Sequence, residues 1–125
     1  VNIATLSKKN KIKLVLIKEP YYLDIKFQQN LNNLNSDELL ERLINYNEEK
    51  YYNKRNLFWI YTNALLNNYM DKIKEDFNEV IIVDPTQKLY SMEKEKNFLK
   101  DGNHLNNSGH IILAEEIYRK IKNKL

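Results

Sequence analysis

The sequence contains no cysteine, so no disulfide frame braces it and no thiolate can ligate a metal. That absence leaves the redox compartment open. No apolar run approaches the roughly 20 residues that a membrane-spanning helix needs, and no charged-then-apolar leader opens the chain. A surplus of one charge is missing too: the net value is +3, and the lysines are scattered among Asn, Asp and Glu. Nucleic-acid binding calls for a clustered basic patch, so nucleic acid is not an expected partner.

What is present suits one soluble globular unit. A length of 125 residues, 42% hydrophobic and 30% charged, supports a single core of modest size. The first ten residues read as the tail of a helix. Ile3 and Leu6 are its apolar positions, Lys8 and Lys9 suit a C-terminal turn, and Asn10 suits the left-handed closing position. Because the chain opens at Val1 inside such a pattern, it is expected to be part of a longer protein.

Ile12 to Ile17 is a short β-rich apolar run, the pattern of a buried strand. Glu19-Pro20 ends it, since Pro cannot donate to a ladder and biases the residue before it towards extended geometry. Strand exits in α/β proteins face the ligand crevice. Tyr21 and Tyr22 are therefore candidate substrate-pocket residues, with packing beneath the following loop as the alternative. An Asn-rich connector, Gln28 to Asn35, leads to a capping box with Asn35 as cap and Glu38 reaching back. The helix that follows runs through Leu39, Leu40, Leu43 and Ile44 and fades in the polar run Asn47 to Lys54. Residues 21–55 thus form an insertion holding a helix, either a lid or specificity wall, or decoration.

Asn56 to Phe77 gives the clearest helical pattern. Tyr61, Leu65, Tyr69, Ile73 and Phe77 recur every four residues, with Phe58, Leu66 and Met70 beside them, and this stripe is expected to face the core. Val80 to Val83 reads as a second buried strand ended by Asp84-Pro85. Strand, helix and strand in this order imply a right-handed parallel crossover. Asp84 has two readings: a pocket carboxylate that could rival another acid for a histidine, or the cap of the turn at Pro85 and Thr86.

Both histidines lie in one run, Asp101-Gly102-Asn103-His104-Leu105-Asn106-Asn107-Ser108-Gly109-His110. Asn106 is placed to cap the last helix, Asn107 to about Lys124, so Asp101 and His104 fall on the loop leading into it. There the acid can hold one ring nitrogen and leave the other facing a cleft. That is the acid–base half of a hydrolytic triad, in which the carboxylate fixes the tautomer and stabilises the imidazolium. His110, in the first helical turn, reads as a packing or hydrogen-bonding residue. Asp84, Asp101, His104 and His110 have no spacing that matches a ligand pair on one helix face, so no metal and no cofactor are expected. Leu113, Ile117, Ile121 and Leu125, with Ala114 and Tyr118 beside them, form the inner stripe of the last helix. Glu115 and Glu116 pair with Arg119 and Lys120 on its outer face, for about 0.2–0.5 kcal/mol each.

The block Asp-Gly-Asn-His-Leu-Asn-x-x-Gly-His, running into an Ile/Leu/Ala helix, resembles the last conserved block of the SGNH (GDSL-type) ester hydrolases. Tyr61 to Leu65 and the strand ending at Asp84 are similar to that family's penultimate helix and final strand. The resemblance implies that Asp101 and His104 complete a Ser–His–Asp triad, with Asn106, Gly109 and His110 on the accompanying positions. It further implies an α/β fold: the C-terminal part of a doubly wound, flavodoxin-like parallel sheet with flanking helices, incomplete in this chain. Further parallel strands would lie on the Ile12 to Ile17 side, and two strands alone would leave an edge and apolar surface exposed. The family's Gly-Asp-Ser block and its oxyanion-hole Gly and Asn blocks are absent. Ser7, Ser36, Ser91 and Ser108 lie in a helix tail, a helix cap, a loop and the final helix, and none follows a first strand.

The expected function is accordingly that of a serine ester hydrolase acting on a small-molecule or carbohydrate ester. This chain would supply the Asp–His half, and a missing N-terminal half or a companion chain would supply the nucleophile. Two alternatives remain: an O-acyltransferase or carbohydrate deacetylase on the same fold, and a non-catalytic SGNH-like binding module.

Overall fold

The computed structural model describes residues 3–23, 27–28, 30–32, 34–46, 54–90 and 93–124. The architecture is mixed α/β, mostly helical, with two parallel strands in one sheet. Helix α1 (Ile3–Lys9) precedes strand β1 (Val15–Ile17), and α2 (Ser36–Ile44) and α3 (Lys54–Asp76) precede strand β2 (Ile81–Val83). The short α4 (Thr86–Leu89), a 3-10 turn (Lys94–Lys96) and α5 (Asn107–Ile121) complete the order. Val15, Leu16 and Ile17 pair with Ile81, Ile82 and Val83. A parallel pair needs a long connection between its strands. Here α2 and α3 supply it, and α3 and α5 both pack against β2.

Local chemistry explains the element ends. Asn35 accepts from the Asp37 and Glu38 N–H groups while Glu38 reaches back to the Asn35 N–H, so the expected capping box forms. At the end of α1 the left-handed residue is Lys11 (φ 56°), one beyond the expected Asn10. Asn10 instead turns its side-chain amide back onto the Leu6 carbonyl. The first strand is shorter than the apolar run that foretold it. Ile12 is 64% exposed and Ile17 lies on the surface, so β1 is only half-buried, whereas β2 has Ile81 and Val83 fully inside.

The long helix departs from its expected orientation. Tyr69, Phe58 and Leu66 face outward, although Tyr61 and Leu65 do pack against the core. Its buried face is instead Ile60, Asn63, Ala64, Asn67 and Asn68. Asparagine turns inward because it satisfies loop backbone that has no ladder partner. Asn67 clamps the Glu19 peptide, accepting from its N–H at 2.9 Å and donating to its carbonyl at 3.1 Å. Asn68 donates to the Leu31 and Leu34 carbonyls.

Among the described residues the larger of two apolar clusters brings Leu23, Leu31, Leu39 and Leu43 of the insertion against Ile60 and Ala64. Parts of that insertion lie outside the described residues, among them most of the polar run from Asn47. The smaller cluster, Leu89, Phe98 and Leu105, sits beneath the loop carrying Asp101 and His104. In α5, Glu116 is buried rather than on the outer face, and it pairs with Arg119 at 2.7 Å. Ala114 and Tyr118 face outward, and Leu125 lies outside the described residues. Among the described residues no helix is long and apolar enough to cross a membrane.

Candidate active site

The loop before α5 is pinned at both ends. Phe98 and Leu105 form an antiparallel bridge, the Leu99 N–H donates to the His104 carbonyl at 2.8 Å, and the Asn106 N–H donates to the Asn97 carbonyl at 3.1 Å. Between these ties the chain must reverse tightly. Gly102 permits this with φ 73°, a region that L side chains rarely adopt. The Gly102 carbonyl then accepts from the Tyr22 N–H at 2.7 Å, joining the loop to the segment leaving β1.

Asp101 works in two directions. Its Oδ1 accepts from the backbone N–H groups of Asn103 (3.0 Å) and His104 (3.1 Å), which closes the turn. Its Oδ2 lies 2.6 Å from His104 Nδ1. Partial burial raises the carboxyl, but the hydrogen bonds from the His104 backbone and ring, then the Asn103 backbone and the His104 charge, outweigh it. The net effect lowers Asp101 from 3.8 to about 2. The acid is therefore ionised wherever the histidine needs it. His104 is 76% exposed, and no described residue engages Nε2. With Nδ1 held by a carboxylate and Nε2 open, the ring can accept a proton on one side while the charge is stabilised on the other.

Helix α5 holds this loop through close packing. Asn106 Oδ1 accepts from the Gly109 N–H at 3.0 Å, as expected of the cap, and Asn106 Nδ2 donates to the Glu95 carbonyl. Gly109 has no room for a side chain: a Cβ would stand 2.2 Å from the Asn97 carbonyl oxygen. Asn97, which the sequence reading did not single out, is the buried hub. Its Nδ2 donates to the Leu89 carbonyl at 2.8 Å, its Oδ1 accepts from Ser108 Oγ at 3.2 Å, and its backbone meets Asn106 and Gly109. An Asn beside Phe98 in a polar stretch carries no sequence signal of such a role.

The remaining candidates separate. Tyr22 stacks on Tyr90 at 6.3 Å between ring centroids and meets Phe98 edge-on at 5.8 Å, so it packs into the cluster below the loop. Tyr21 instead belongs to the larger apolar cluster and lines a polar cavity at the ends of both strands. Asp84 borders that cavity too. Its Oδ1 accepts from the Thr86 N–H at 3.0 Å, capping the turn, and its Oδ2 lies 3.4 Å from Lys18 Nζ; it makes no contact with His104. His110 is exposed beside Leu99 and Leu105. Among the described residues no group of three or more His, Asp or Glu side chains is placed to hold a metal ion.

The described serines are all committed or distant. Ser7 donates to the Ala4 carbonyl, Ser36 begins α2, and Ser108 donates to Asn97; Ser91 lies outside the described residues. None of the three bonds His104. No family model, no curated protein and no solved structure matches this chain.

Proposed function

We propose that this chain carries the acid–base half of a serine ester hydrolase of the SGNH type. The observation that carries the reading is the 2.6 Å contact between Asp101 Oδ2 and His104 Nδ1, with Nε2 left open. In this mechanism His104 Nε2 takes the proton of a serine hydroxyl as the oxygen attacks the ester carbonyl. The same proton passes to the leaving alcohol as the tetrahedral intermediate collapses to an acyl-enzyme. Water then attacks that acyl group, again deprotonated through His104, and the serine leaves with the proton. Asp101 keeps the ring oriented and stabilises its charged form throughout. Neither cofactor nor metal takes part.

The nucleophile and the oxyanion-hole donors would come from an N-terminal segment or a companion chain. The sheet would then be the C-terminal part of a doubly wound parallel sheet whose further strands add at β1. Half-burial of β1 and the exposure of Ile12 and Ile17 support that placement, because an unpaired apolar strand edge is a liability when nothing covers it. The substrate would be a small-molecule or carbohydrate ester. An O-acyltransferase or deacetylase would use the same two residues, and product analysis with sugar acceptors separates these from a hydrolase. A non-catalytic binding module is favoured by one observation, that no described serine meets His104.

A fluorophosphonate probe followed by intact mass of every chain tests the reading. The expected result is one adduct on the chain that carries the nucleophile. No adduct on the complete protein would overturn catalysis in favour of the binding module.

A further inference from the structure

The two strands end side by side, and the residue after each contributes a charge to one cavity. Lys18 follows β1 and Asp84 follows β2, and Lys18 Nζ lies 2.7 Å from Asp71 Oδ2 of α3 and 3.4 Å from Asp84 Oδ2. The Lys18 side chain is only 10% exposed. Beside this trio lies a cavity of about 70 Å3, lined among others by Lys18, Tyr21, Asn32, Asp84, Thr86 and Gln87. A water needs roughly 10–15 Å3 of such space, so the cavity takes a small polar group and its neighbours rather than a whole drug-sized ligand.

Tyr21 adds a phenol to this lining. The residue is 8% exposed, and its backbone carbonyl accepts from Gln28 Nε2, but its hydroxyl has no hydrogen-bond partner among the described residues. Burial, and next the Asp84 charge, push this phenol above its usual range, so it stays a neutral O–H donor. Asn67, Asn68 and Gln28, by contrast, are spent on loop carbonyls and serve as walls.

The charges decide what fits. Lys18, Asp71 and Asp84 sum to one negative charge, which disfavours anions. A cation would have to displace the ammonium that already sits between the two carboxylates. A hydroxyl group both donates and accepts, and so matches a site offering a phenol, a carboxylate, an ammonium and side-chain amides together. We propose that the cavity at the ends of β1 and β2, bounded by Tyr21, Lys18 and Asp84, binds the hydroxyl-bearing edge of a neutral carbohydrate or polyol. This deepens the ester-hydrolase reading, for which it supplies a sugar subsite, but its geometry does not depend on a nucleophile. The Tyr22–Gly102 hydrogen bond places the site one residue from the His104 loop along the chain.

The test is a titration of the protein followed by amide NMR, with methyl glucoside, glycerol and sodium acetate as separate ligands. Saturable shifts at Lys18, Tyr21, Asp84 and Thr86 with the glucoside are expected. Matching shifts with glycerol would mean that any vicinal diol is accepted, and their absence that a cyclic edge is required. Tyr21→Phe should weaken binding by about fivefold to tenfold, the loss of one ligand hydrogen bond. Its unfolding midpoint should not fall, because the hydroxyl has no partner to lose. His104→Ala should bind the sugar normally. No saturable shift with either polyol, tighter binding of acetate, or unchanged affinity in Tyr21→Phe would each overturn the proposal. Ester hydrolysis that survives loss of sugar binding would leave the hydrolase reading standing, and the reverse result would remove that reading alone.

Discussion

Two sites in this molecule set a carboxylate against a side-chain nitrogen, and they are built in opposite ways. Asp101 and His104 are three residues apart, mostly exposed, and held by their own turn. Lys18, Asp71 and Asp84 come from two strand exits and the long helix, and the two carboxylates flank a nearly buried ammonium. The first site is rigid through the backbone and open to a substrate, which suits proton transfer. The second is rigid through packing, and its charges are already matched, which suits support and recognition. Exposure thus separates a group available for chemistry from one that holds the fold.

Removing a member of the buried site should have the largest effect. Lys18→Ala leaves Asp71 and Asp84 facing each other without their cation. Breaking a fully buried pair costs about 3–5 kcal/mol, and the partial exposure of both carboxylates reduces the expectation to about 1–3 kcal/mol, read from urea unfolding. Gly109→Ala should cost a similar amount, about 1–3 kcal/mol, since its Cβ collides with backbone that is itself tied to Asn106. Asn97→Ala should lose about 1–3 kcal/mol by orphaning the buried Leu89 carbonyl. If α5 anchors the His104 loop, both of these variants should also lose activity in proportion to their loosened loop.

Asp101→Asn should behave differently, with a stability change below about 1 kcal/mol because the pair is exposed. The same contrast appears in pH. Asp101 is depressed in the folded state, so its contribution is present above the unfolded value near 3.8 and is lost as pH falls through about 2. The His104 contact should therefore persist down to about pH 3 and be half lost near pH 2, as followed by the His104 ring signals in NMR. A contact already lost at pH 5 would mean that the carboxylate is not held as described.

Legibility in the sequence follows the same division. The Asp101 turn, the Asn106 cap and the Asn35 capping box are local, and each is encoded within a few residues, so pattern and spacing revealed them. Lys18, Asp71 and Asp84 lie up to 66 positions apart, and nothing in a one-dimensional pattern brings them together. The orientation of α3 misled for a related reason. Its aromatic stripe is the more hydrophobic face, yet Asn67 and Asn68 won the inner face by satisfying the carbonyls of Glu19 and Leu31, a demand set by the strand exit and the insertion rather than by the helix. Asn97 was invisible because its partners, Leu89 and Ser108, belong to different elements.

The proposed role of His104 as the proton carrier in ester cleavage is tested by the hydrolysis rate of an activated ester, compared between the complete protein and its His104→Ala variant. The variant should fold normally and lose at least about a thousandfold in kcat, the scale seen when a triad member is removed. A folded His104→Ala protein that turns over the ester at the original rate would contradict it.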